Sequence, residues 1–197
     1  ITVARTSYDE TPLLHLPMFR PIVAILFLLL VAPVAPTRPA SLWARERSEV
    51  AGRTIEQYVA ELDAEDCVVA RRAIKSLGAF GAAAGEANRQ ALDHDDPAVR
   101  YIAAVNLGRA GGRPLENSIE RLCQLAADES SLAVRLAASF ALCRNGLTDD
   151  HLPLLIETLE YPERGVACSA ATLIGMIGPK AKAAIAPLEA VHQKHRP

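Results

Sequence analysis

Residues 93–111 read Asp-His-Asp-Asp-Pro-Ala-Val-Arg-Tyr-Ile-Ala-Ala-Val-Asn-Leu-Gly-Arg-Ala-Gly, and the pattern of this stretch recurs three more times in the chain. With Leu107 as the anchor, the matching residues are Leu77, Leu142 and Ile174. Eight positions earlier stand Val69, Val99, Val134 and Val166, and four positions earlier Ala73, Ala103, Ala138 and Ala170. Four positions later come Gly81, Gly111, Gly146 and Gly178, and fourteen before each anchor is an acid: Asp63, Asp93, Asp128 and Glu160. The anchors lie 30, 35 and 32 residues apart, which is the period of a helical solenoid.

Each column has a physical reason. Positions minus eight, minus four and zero are successive i, i+4 neighbours, so valine, alanine and leucine make one apolar stripe on a helix. The mid-stripe alanine lets an adjacent helix approach closely. Asp96-Pro97 reads as an N-cap followed by proline at the first helical position, and Asp66 and Ser131 are expected to cap the first and third copies. The closing glycine suits a C-terminal stop with a left-handed backbone. Thr54 followed by Gln57 is a capping-box signature at the start of the solenoid. The pattern predicts helix pairs at about 54–62 with 67–79, 83–92 with 97–110, 115–127 with 132–145 and 149–160 with 164–177, then a last helix near 181–194.

The run from Asp95 to Gly108, and a second from Asp128 to Ala138, resemble the HEAT-repeat family, in particular the short bacterial, phycobilisome-lyase-like variety. The resemblance covers roughly residues 54–191. It implies an all-α fold, a right-handed α-solenoid (α-α superhelix) of about four HEAT-like helix pairs plus a terminal helix. It also implies that second helices line a concave face where extended partners dock. The repeat type is used by scaffolds, regulators and a minority of enzymes, so it leaves function open. Ala70 and Ala167 stand where the middle copies have Arg100 and Arg135. Those arginines are expected to pair with Asp93, Asp96 and Asp128 in a ladder interrupted at both ends.

Composition agrees with helices. Half of the 197 residues are apolar but only 5% are aromatic, which suits closely packed alanine-rich helices better than strands. From Thr54 onward the chain carries 15 basic against 19 acidic residues, a balance with no global attraction for nucleic acid or an anionic membrane. Cys67, Cys123, Cys143 and Cys168 show no C-x-x-C spacing and are expected to be small buried hydrophobes. Cys123 and Cys143 fall on one helical hairpin at heights about a turn apart, which argues against a disulfide.

The N-terminal part reads differently. Residues 1–17 lack any period and precede the first methionine, so they are read as an upstream or non-native extension, with translation expected to start at Met18. Residues 18–40 hold an apolar run, 22–32, behind a single basic residue, Arg20. Eleven apolar residues match the core of a secretory signal, whereas a membrane span needs about 20. No small-x-small cleavage site follows, so an uncleaved anchor is the alternative. The expected location is therefore outside the cytoplasm, or at a membrane held by residues 22–32. Residues 41–53 are read as a charged linker, with a short helix over 44–50, leading into the repeat domain at 54–197.

Chemical constellations are sparse. His192 and His195 share a helical face with no glutamate between them and no third ligand, and are read as a solvated end. His94 among Asp93, Asp95 and Asp96 sits at a helix start, where capping is the ordinary content. No nucleophile motif and no phosphate loop is present, so neither catalytic, metal nor cofactor residues are assigned and the chain is read as no enzyme. The insertion at 111–117 is a candidate binding loop or a tolerated surface insertion.

The remaining candidate is the face of the second helices turned from the stripe. Six and two positions before the anchors stand Arg71 and Lys75, Tyr101 and Val105, Leu136 and Phe140, Cys168 and Thr172. An apolar centre of Tyr101, Val105, Leu136 and Phe140, rimmed by Arg71, Lys75, Arg109 and Arg144, has the composition of a protein interface unless neighbouring helices bury it. The expected function is a scaffold that binds a protein partner on this concave face. A lyase-like chaperone for a chromophore or prosthetic group is the first alternative, which would need acids and histidines on that face. A nucleic-acid-binding HEAT-like protein is the second, disfavoured by the charge balance.

Overall fold

The computed structural model describes residues 48–194, so the expected extension, the expected signal or anchor segment and most of the expected linker lie outside the described residues. Among the described residues ten α-helices follow one another: α1 (Ile55–Ala60), α2 (Cys67–Leu77), α3 (Gly85–Gln90), α4 (Pro97–Ala110), α5 (Gly112–Glu116), α6 (Ile119–Asp128), α7 (Leu132–Arg144), α8 (Thr148–Glu157), α9 (Arg164–Ile177) and α10 (Ile185–Lys194). Among the described residues the only extended pairing is an isolated bridge, Val50 to Arg53. The Tyr58 hydroxyl donates to the Val50 carbonyl at 2.9 Å, so residues 50–53 pack on α1 and form neither a helix nor a free linker.

The all-α solenoid and its repeat register are as the sequence implies. α2, α4, α7 and α9 are the second helices of four pairs. Their anchors Leu77, Leu107, Leu142 and Ile174 are buried, as are Ala73, Ala103, Ala138 and Ala170. Each buried leucine contributes about 1.5–3 kcal/mol relative to exposure. Val99 and Val134 are buried, while Val69 and Val166, in the end repeats, are half-covered for want of a neighbour on one side. All four closing glycines hold positive φ (62°, 65°, 106° and 74°), a conformation that would strain any residue with a Cβ.

Caps explain the helix starts. Asp66 accepts from the Val68 N–H at 2.8 Å and Asp96 from the Ala98 N–H at 2.9 Å, with Pro97 just inside the helix. Gln57 reaches back to the Thr54 N–H at 3.0 Å. Ser131 occupies the cap position of α7 without a side-chain cap bond; Glu129 instead accepts the Ser131 N–H at 3.1 Å. The first helices are less regular than the pattern predicts. α3 and α10 each follow a 3₁₀ stretch, Gly78–Ala84 and Gly178–Ala184, the first broken at the closing glycine Gly81 and the second kinked at Ala181.

The insertion is structured. Gly111 and Gly112, both with positive φ, end α4 and start α5, whose Leu115 is buried and whose Pro114 packs on Gly85 of α3. A Cβ at Gly85 would collide with that proline. The stretch is therefore an extra helical turn clamped to the previous repeat and no free loop.

Repeats are joined by polar bonds as well as by packing. The buried Asn106 amide donates to the Ile74 carbonyl at 2.9 Å and to Asn88 Oδ1 at 2.8 Å, while Asn88 donates to the Ala84 carbonyl at 2.8 Å. Arg100 does not pair with Asp93, Asp96 or Asp128. It forms a bidentate bond with Glu129, both distances 2.9 Å, and donates to the His94 and Asp95 carbonyls. Asp96 is taken by Arg71 at 2.6 Å and Asp93 by Arg121 at 2.7 Å, whereas Arg135 reaches only the Ala126 carbonyl at 3.3 Å. The acids are displaced by one repeat because the second helix of one repeat faces the turn leading into the next.

Candidate functional site

The positions six and two before the anchors decide where a surface exists. In α7 they are Leu136 and Phe140, and both are fully buried, so they do not form the centre of an exposed patch. The cause is the spacing of the helices. α7 packs against α4, α6, α8 and α9, and its Leu136, Phe140 and Cys143 belong to the core shared with α8 and α9, while Val134, Ala138 and Leu142 face the N-terminal core. In α4 the equivalent Tyr101 and Val105 are half-buried against the same packing, and burial raises the Tyr101 phenol above its ordinary range. Of the expected rim, Lys75 and Arg109 are exposed. Arg71 is exposed but engaged with Asp96, and Arg144 donates to the Gly108 carbonyl at 3.3 Å. The structure brings no continuous apolar patch together at the middle of this face.

In α9 the same two positions are Cys168 and Thr172, and both are exposed. Beside them a groove of about 670 Å³ runs between α9 and α10. Its apolar walls are Leu159, Tyr161, Ala167, Ala171, Leu188 and Val191, and its polar groups are Glu160, Arg164, His192 and Lys194. α10 packs mainly on the turns at Thr158–Glu160 and Gly178–Ala184; its Leu188 and Val191 lie partly buried against the core of the last two pairs, and none of its residues is fully buried. Tyr161 is 46% and Ile185 55% exposed, two of the few large apolar side chains left open. Lys194 Nζ lies 3.8 Å from Glu160 Oε2 across the mouth.

The cysteines divide. Cys143 is buried and its thiol is pushed up to about 12 by desolvation, but Cys67 and Cys168 are exposed and Cys123 is half-covered, so burial is not the common role expected of them. Cys67 opens α2 and Cys168 faces the groove. His94 joins repeats: its Nδ1 accepts the Asp96 N–H at 2.9 Å, leaving Nε2–H to donate to the Leu62 carbonyl at 3.0 Å. Both ring nitrogens are thus engaged. His192 lines the groove, while His195 lies outside the described residues. The hydrogen bond from Arg71 holds the Asp96 carboxyl below the usual range, as the bond from Arg100 does for Glu129. Burial lowers His151, with Asp150 opposing it.

A further column, absent from the sequence reading, stands one position after each anchor: Gly78, Gly108, Cys143 and Gly175. A Cβ at Gly78 would overlap the Asn106 amide, and one at Gly108 would lie 2.6 Å from Phe140 Cε1 and 3.0 Å from Ala141 Cα. These glycines admit the side chain of the next second helix. A Cβ at Gly175 would meet nothing within 4 Å.

Residues 55–143 match the family of HEAT repeats, a segment that runs from the start of α1 to one residue short of the end of α7. No curated protein matches the chain. Among solved structures the chain is similar to the complex of CpcE and CpcF of phycocyanin lyase from Nostoc sp. PCC7120, at 22% identity, covering 94% of this chain and 73% of that one, with a TM-score of 0.44.

Proposed function

We propose that the chain, whose residues 55–143 match HEAT repeats, is a non-enzymatic protein-interaction scaffold whose partner surface is the open side of its fourth repeat. One observation carries this reading: the positions that are buried in α7 are exposed in α9, beside a groove with apolar walls and a charged mouth. Exposed apolar concavities rimmed by polar groups mark partner sites more often than inert surface. The test is photo-crosslinking in cells with an aryl-ketone side chain at position 172, on the open face, and at position 89, on the exposed side of α3. The reading expects a discrete crosslinked partner from position 172 and none from 89. Equal yields, or none from either, remove it.

Export, or anchoring through residues 22–32, belongs to the same proposal and rests on the apolar run in the sequence. A second reading follows from the groove's Glu160 and His192, which supply the acid and histidine that a lyase-like chaperone for a prosthetic group needs. A spectral shift of a coloured prosthetic group on titration with the chain, lost in His192→Ala, would favour it.

A further inference from the structure

We propose that the joint between α7 and α9 is the weakest in the solenoid, so that residues 148–194 open as one unit while the first three helix pairs stay folded. This opening is independent of any partner. In a repeat protein stability is the sum of each repeat's own term and of the interfaces between neighbours, so a poorly bonded interface divides the chain. Segments beyond such an interface open as cooperative units below the global transition.

The three joints between successive pairs differ in their polar bonds. Across the first, Arg71 holds Asp96 at 2.6 Å, His94 donates to the Leu62 carbonyl at 3.0 Å and the buried Asn106 donates to the Ile74 carbonyl at 2.9 Å. Across the second, Arg100 grips Glu129 through two bonds of 2.9 Å, and Arg121 holds Asp93 at 2.7 Å. The Arg100 and Glu129 side chains are only 15% and 8% exposed, so water and salt screen that pair little. Across the third, the described residues make one side-chain bond, from the exposed Lys180 to the Arg144 carbonyl at 2.9 Å.

The repeat columns account for the difference. Arg135 stands where α4 has Arg100, but the column that supplies Glu129, thirteen before the anchor, holds Tyr161 in the fourth copy. Arg135 bonds the Ala126 carbonyl of its own pair instead, at 3.3 Å. Leu136 stands where α2 has Arg71, so no cation occupies that position opposite Glu163, which is in the column of Asp96. Packing divides at the same place. Gly78 and Gly108 seat Asn106 and Phe140 of the next second helix, whereas Cys143 fills the equivalent seat on α7. Val134, Ala138 and Leu142 of α7 belong to the core of the first three pairs, and its Leu136, Phe140 and Cys143 to the core shared with α8 and α9. Parting at this joint therefore leaves the first core whole and uncovers a face of α7 that is fully buried in the closed chain. That apolar face holds the joint shut at rest, so the open form is a minor population.

Native-state hydrogen exchange of the full chain in graded urea, below the unfolding transition, reads the joint. Amides of α8 and α9 should be protected at least about tenfold less than those of α4, with a shallower urea dependence, whereas α2 should follow α4. The Cys143 thiol, labelled by a neutral reagent, should match the α9 amides in protection within about threefold, because the unfolding that frees it is this partial one. Tyr161→Glu, at a position 46% exposed, supplies the missing carboxylate. It should raise the protection of α9 and Cys143 about threefold and leave α2 unchanged, and adding Arg135→Met should remove the gain. Equal protection and urea dependence for α2, α4 and α9 overturns the proposal, because the solenoid is then one cooperative unit. So does α2 opening as readily as α9, which marks a property of the outermost described pairs and not of this joint. A Tyr161→Glu variant without a gain, or with one that survives Arg135→Met, overturns it as well.

Discussion

Phe140 and Gly108 offer a test of whether the second helices meet as closely as the structure has them. Phe140 is fully buried, with its ring edge over Gly108. Phe140→Ala should therefore cost about 3–5 kcal/mol, the transfer and cavity terms of a buried aromatic. Gly108→Ala would place a methyl 2.6 Å from Phe140 Cε1 and 3.0 Å from the Ala141 backbone. Overpacking of that kind costs about 1–3 kcal/mol, partly offset by the roughly 0.5–1 kcal/mol gained when alanine replaces a helical glycine. Combining the two changes removes the clash with the ring, so the double variant should be at least about 1 kcal/mol more stable than the sum of the singles. Gly175→Ala is the control in the same register, where nothing lies within 4 Å, and should stabilise by about 0.5–1 kcal/mol. Urea denaturation followed at 222 nm, fitted with one shared slope, gives all four values. A Phe140→Ala cost below about 1 kcal/mol, or strict additivity with Gly108→Ala, would refute the burial and the helix register argued from it.

Four further outcomes follow. Ala103→Leu and Ala138→Leu, at fully buried mid-stripe positions, should each cost about 1–3 kcal/mol in the same titration. Asp96 and Glu129 have carboxyls lowered in the folded chain by Arg71 and Arg100, so their contribution is full above the unfolded carboxylate range and is lost as pH falls through the lowered folded values. The double variant Arg71→Met, Arg100→Met should accordingly lose less stability between neutral and acid pH than wild type does in denaturation series across that range. A thiol reagent should modify Cys67 and Cys168 in the folded chain, with Cys143 reacting only after unfolding, a pattern that mass mapping of labelled peptides reads directly. Fusion of residues 18–53 to a reporter active only outside the cytoplasm should give signal that Leu28→Arg with Leu29→Arg abolishes; cytoplasmic retention of the unaltered fusion refutes export.

The fold was legible because each repeat states its own boundaries in local chemistry. Asp96-Pro97 starts a helix wherever it stands, and a glycine with positive φ, as at Gly111 or Gly178, stops one. The mid-stripe alanines follow from i, i+4 geometry alone. Joints between repeats were less legible, since they depend on how far one pair is shifted along the next. Arg100 has acids on both sides in sequence, and only the stacking selects Glu129 over Asp93.

The candidate surface shows the same limit more sharply. Leu136 and Phe140 share their column with Tyr101 and Val105 and with Cys168 and Thr172, so the sequence pattern treats the three pairs alike. Their exposure differs because a neighbouring second helix covers α7 on both sides and leaves α9 open on one. The bulk of the side chains records this: leucine and phenylalanine where a helix is present, cysteine and threonine where the face is open. One position after the anchor, Gly78 and Gly108 lie beneath Asn106 and Phe140 of the next second helix, whereas Cys143 breaks the column and Gly175 has no described atom close to its Cβ position, so this column marks a tight joint only where a large side chain stands opposite.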